Sequence, residues 1–106
     1  MPFSKTYDKV AWHFPEGRGC PSLAAAKTHF TVVIKWLESK GLLSAEGTEA
    51  AASGIDSDFA LTADMLTAKG NRILGLCYDQ WVRTVRYGVT PTTEVLDNCW
   101  AEEGSD

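Results

Sequence analysis

The chain contains two histidines, His13 and His29, and three cysteines, Cys20, Cys77 and Cys99. These are the side chains best suited to metal binding or nucleophilic chemistry. His13, His29 and Cys20 could meet if the N-terminal segment folded back over the first long helix. A tetrahedral zinc site needs a fourth ligand, or a water at a catalytic centre. No CxxC, HxxxH or HExxH spacing is present. A metal-dependent or other small enzyme built on His13, His29 and Cys20 therefore stands as an alternative reading. Cys77 and Cys99 fall on apolar helix faces, where a thiol acts as a small hydrophobe. Ser22, Ser44 and Ser53 have no base at a recognisable spacing, and there is no GxSxG, P-loop or GxGxxG. No catalytic residue, metal ligand set or cofactor is assigned, and the chain is read as a non-enzyme.

The elements that must position these residues come next. "YDKVAWHFPEG", residues 7 to 17, gathers Tyr7, Asp8, Trp12, His13 and Phe14 ahead of any helical period. Residues 1–20 are read as an extended arm pinned by its aromatics. Trp12 is expected as a core anchor, His13 as the partner of a buried backbone group, and Asp8 as a loop tie. A first helix is predicted from Pro21 or Ser22 to about Lys40. Leu23, Ala26, Phe30, Val33, Ile34 and Leu37 recur at helical spacing, with His29 and Trp36 on the flank and Gly41 as the stop. A short helix over Glu46–Ala52, capped by Ser44 or Thr48, ends at Gly54. "DSDFALTADML" reads as loop and one turn capped by Thr62.

The clearest helix runs from Ala68, capped by Thr67, to Tyr87, with Trp81 in its apolar stripe and Gly88 as its stop. Gly70 and Gly75 within it suggest close approach of a neighbour. A last helix is predicted to start at Thr90, with Pro91 in its first turn. Residues 101–106 read as a flexible tail. The fold class expected is all-α: one domain spanning residues 1–106, an irregular bundle of about four helices with an N-terminal aromatic arm. His13, His29, Trp12, Trp36 and Trp81 are given structural roles.

Charge is distributed in blocks. The whole chain carries a formal −4, which speaks against general nucleic-acid binding and against docking on an anionic membrane. Residues 41–66 hold Glu46, Glu49, Asp56, Asp58 and Asp64 with no Lys or Arg, and the tail from 92 to 106 holds Glu94, Asp97, Glu102, Glu103 and Asp106, whereas residues 1–40 and 67–91 are net positive. Such a block can steer a basic partner toward itself. No apolar run is long enough to span a bilayer. Without a signal-like N-terminus, and with no close cysteine pair, the chain is expected in the cytoplasm with reduced thiols.

Two stretches carry a resemblance. Tyr7, Asp8, Ala11, Trp12 and His13 form the first half of a pattern. Ala26 or Thr28, His29, Trp36, Gly41 and Leu42 form the second, and "LTADMLTAKGNRIL" adds an acidic stretch leading into a Gly-containing helix start. Together they cover about half the chain. They resemble a group of small acidic bacterial proteins that in turn looks like the immunity proteins of antagonistic toxin systems. The chain departs from that pattern in the loop from Gly17 to Pro21 and in its Arg-containing third quarter. The resemblance implies a monomer or weak homodimer that binds and neutralises a cognate protein toxin. Glu46, Glu49, Asp56, Asp58 and Asp64 would then be the contact. The rival to both this and the enzyme reading is a structural module that self-associates through its Trp-rich helices.

Overall fold

The computed structural model describes residues 6–14, 22–86 and 89–104. Cys20, the Gly17–Pro21 loop and the Gly88 stop lie outside the described residues. In chain order the elements are β1 (Thr6–Lys9), α1 (Val10–His13), α2 (Leu23–Ser39), α3 (Ala45–Ser53), β2 (Ala60–Thr62), a 3₁₀ turn (Ala63–Met65), α4 (Ala68–Val82) and α5 (Glu94–Cys99). A wider π turn, Trp100–Gly104, continues from α5.

The fold is mostly helical, but it is not purely α. β1 and β2 pair antiparallel, with Thr6 opposite Thr62, Asp8 opposite Leu61 and Lys9 opposite Ala60. The expected extended arm is thus an edge-paired strand followed directly by one helical turn. The Val10 N–H donates to the Phe59 carbonyl at 3.0 Å and prolongs the pairing into that turn. Register is irregular between Thr6 and Asp8. In a regular strand, neighbouring side chains point to opposite faces; a bulge relaxes that alternation. Here Tyr7 donates to Asn71 Oδ1 at 2.7 Å and Asp8 accepts from Tyr78 at 2.6 Å, so both adjacent side chains reach α4.

Three helix starts follow from side-chain caps. Ser22 accepts from the Ala25 N–H, Ser44 from Gly47 and Thr67 from Gly70. Gly41 takes a positive φ of 69° after α2, the left-handed turn that favours glycine. Leu42 then returns to the core at 2 % exposure.

Two expected boundaries shift. α4 ends at Val82, well before Tyr87, where Thr84 Oγ1 donates to the Trp81 carbonyl at 2.6 Å and competes with continued helix. α5 begins at Glu94 rather than at Thr90 and Pro91, because the Trp81 indole N–H takes the Thr92 carbonyl at 2.7 Å and holds that segment off the helix.

The core joins Val10, Phe30, Val33, Leu37, Leu61, Ile73, Trp81 and Leu96, each fully buried. Trp36 is buried as well, and its indole N–H donates to Asp97 Oδ1 at 2.8 Å, tying α2 to α5. Trp12 is not a core anchor. It is 47 % exposed, with the Lys9 ammonium 5.7 Å from its ring centre. One helical turn at residues 10–13 can point only part of its circumference inward, and Val10 takes that place.

The segment 42–67 is stitched closely to itself. Ser44 N–H donates to the Met65 carbonyl at 2.9 Å, Ser44 Oγ to the Asp64 carbonyl at 2.6 Å, and Thr67 N–H to the Leu42 carbonyl at 2.9 Å. Gly47 makes this possible, since a Cβ there would collide with the Met65 carbonyl oxygen. Gly70 approaches the Leu42 carbonyl in the same way, at 2.8 Å from the position of a Cβ, whereas Gly75 faces open space and has no close neighbour.

Candidate functional site

Two polar regions stand out: a buried knot around Asp8, and a run of exposed acids on α3, the loop after it and the 3₁₀ turn. The knot is assembled by β1, α1, α2 and α4. Asp8 Oδ1 accepts from the Lys9 N–H at 2.9 Å and from His13 Nε2 at 2.7 Å. Asp8 Oδ2 accepts from His29 Nε2 at 3.0 Å and from the Tyr78 hydroxyl at 2.6 Å. A carboxylate offers about four acceptor sites and no donor. All four are filled, and both imidazoles must therefore turn an Nε2–H toward Asp8. The expected backbone partner of His13 is thus replaced, at Nε2, by a carboxylate.

Asp8 and His29 are buried, and the His13 side chain keeps 17 % of its surface exposed. The rings stack tightly. His13 and His29 meet edge to face at 4.5 Å, and His29 lies 4.3 Å from Phe30. Burial pushes the Asp8 carboxyl up. The hydrogen bonds from His13, His29 and Tyr78, with the attraction of His13, more than reverse this and hold it well below the usual carboxylate range. Burial, and then the Asp8 charge, push the Tyr78 hydroxyl well above its ordinary value.

Two imidazoles and a carboxylate are a possible divalent-cation ligand set, and one ligand atom from each of Asp8, His13 and His29 lies within 4.8 Å of the others. The geometry fits such an ion poorly. Its Asp8 oxygens are already saturated by four donors. Ligation through His29 Nε2 would move the ring proton to Nδ1, which is buried without a partner. Metal-bound imidazoles ordinarily donate that second N–H to an acceptor. The Asp8–His13 pair likewise has the parts of an oriented base. Yet surface cavities are lined elsewhere: about 350 Å³ between α4 and α5, beside Cys77 and Cys99, about 360 Å³ between α2 and α3, and about 370 Å³ by Ala68, Lys69 and Arg72. Cys77 donates to the Ile73 carbonyl at 3.2 Å, and burial, aided by Cys99, pushes its thiol up to about 12. It is a thiol rather than a thiolate at neutral pH.

On the second region, Glu46, Glu49, Asp56, Asp58 and Asp64 are all exposed. Glu46 and Glu49 ride on α3. Asp56 Oδ1 accepts from the Asp58 N–H at 2.9 Å, which fixes the loop before β2. Among the described residues, the ion pairs are those of Asp8 with His13 and His29, and none involves these five acids. The sequence reading named His13, His29 and Cys20 as side chains that could meet; the two histidines come together at Asp8, and Cys20 lies outside the described residues. It missed Tyr78, read only as part of an apolar stripe, and treated Asp8 as a local tie. No helix among the described residues is long and apolar enough to cross a membrane. Comparison with family models, with curated proteins and with solved structures finds no match to this chain.

Proposed function

We propose that the protein is a non-enzymatic binding protein of the immunity type, which holds and neutralises a basic protein toxin in the cytoplasm of the producing cell. The observation that carries this reading is the acidic face. Five exposed carboxylates stand in a segment without a single Lys or Arg. The ends of that segment are cross-linked by backbone hydrogen bonds between 42–44 and 65–67. Charge held on a stiff support steers a cationic partner and limits the ordering entropy of binding. The resemblance of the Tyr7–His13 and His29–Leu42 stretches to small acidic bacterial proteins supports the same reading. In this account the Asp8 knot holds the scaffold and does no chemistry.

The test is stopped-flow association with the protein encoded beside this one. The variant Glu46→Gln/Glu49→Gln/Asp56→Asn/Asp58→Asn should associate at least about tenfold more slowly at low salt, and its rate should respond less to added salt. An unchanged rate and an unchanged salt dependence contradict the assignment.

A further inference from the structure

We propose that the groove between α2 and α3 is the anchor socket of the acidic face, receiving an aliphatic or aromatic side chain from a basic polypeptide segment. This rests on the binding role argued above and adds the chemistry of the partner. The groove encloses about 360 Å³, within the range of sites that take up apolar groups. Ile34 of α2 and Ile55 beyond α3 supply its apolar floor, with Ala51 and Ala52 on one wall. Ile34 and Ile55 are buried and half-buried, while Ala52 is exposed at the mouth.

Its rim is acidic. Glu38 lines it directly. Glu49 is exposed three residues before Ala52 on the same helix, and Asp56 follows Ile55 immediately. Lys35 is the one basic residue among those lining the groove. An apolar floor with Glu38 at its edge and Glu49 and Asp56 beside it, against the single Lys35, matches a cationic segment with a single apolar anchor. Interfaces draw most of their energy from such seated side chains, while the charged rim sets orientation and on-rate. Of the cavities of similar size, the one by Ala68, Lys69 and Arg72 is lined by two cations and lacks this apolar floor.

The probes are three nine-residue peptides. One alternates lysine and arginine around a central leucine. The second replaces that leucine by glycine, and the third keeps leucine but carries glutamates. Binding is followed by amide chemical shifts of the full-length protein. The leucine-centred basic peptide should move the resonances of Ile34, Ala51, Ala52 and Ile55 and bind about tenfold tighter than the glycine-centred one, the scale of burying one leucine side chain. Ala52→Trp, at an exposed position, should fill the mouth and remove that advantage while leaving the glycine-centred peptide unaffected. Equal affinity of the two basic peptides, with shifts confined to Glu46, Asp56 and Asp58, overturns the socket and leaves the acidic face standing. Equal binding of the acidic peptide overturns the charge match. No shift with either basic peptide overturns the socket and the acidic face together.

Discussion

Asp8 and Asp56 are the same residue type in opposite situations. Asp8 is buried and meets four donors from four parts of the chain. Asp56 is exposed and meets one neighbouring backbone N–H. Removing a buried charge's partners, or the charge itself, strands groups that water can no longer reach. Removing an exposed charge changes only the field outside. The first region therefore bears on whether the molecule folds, and the second, on the function proposed above, on what it attracts.

The comparison breaks most easily at Asp8. Asp8→Ala leaves His13, His29, Tyr78 and the Lys9 N–H without their shared acceptor. A loss of about 3–5 kcal/mol is expected, read as a large drop in the thermal midpoint; a midpoint near the wild-type value would mean the knot is not structural. The pH dependence tests the same group without a mutation. The folded carboxyl titrates below its unfolded value, so its stabilisation is present above the ordinary carboxylate range. It is lost as pH falls below about 4 toward the folded value. Stability measured from pH 5 down to pH 2 should fall steeply in the wild type and less steeply in Asp8→Asn. Parallel curves would remove Asp8 from the account.

Smaller changes sharpen the same contrast. Tyr78→Phe removes one hydrogen bond to a buried charge and should cost about 1.5–3 kcal/mol in urea unfolding. Gly47→Ala forces α3 away from the Met65 carbonyl, with an expected loss of about 1–3 kcal/mol. If Gly47→Ala were neutral, the acidic face would be less firmly mounted than its hydrogen bonds indicate.

How much of this was legible in the sequence follows from distance along the chain. The caps at Ser22, Ser44 and Thr67 each act three residues away, within reach of local spacing, which pointed to Thr67, offered Ser44 beside Thr48, and placed only a helix start at Pro21 or Ser22. Strands of four and three residues, Thr6–Lys9 and Ala60–Thr62, are too short to show a period of two, and their pairing spans more than fifty positions. The knot was hidden for a similar reason. Asp8 lies 21 residues from His29 and 70 from Tyr78. The one available signal was a lone aspartate set among aromatics in an arm expected to be buried. Trp12 misled because aromatic bulk was equated with the core, although a single helical turn had room inside only for Val10. Gly70 and Gly75 look alike in sequence, and only the position of Leu42 separates them.

The most direct measurement is equilibrium urea unfolding of two variants beside the wild type: Asp8→Asn, and Glu46→Gln/Glu49→Gln/Asp56→Asn/Asp58→Asn. The expected result is a loss of several kcal/mol for the single change and a shift within about 0.5 kcal/mol for the fourfold one. A fourfold variant that unfolds early, beside an Asp8→Asn protein as stable as the wild type, would reverse the roles assigned to the two regions.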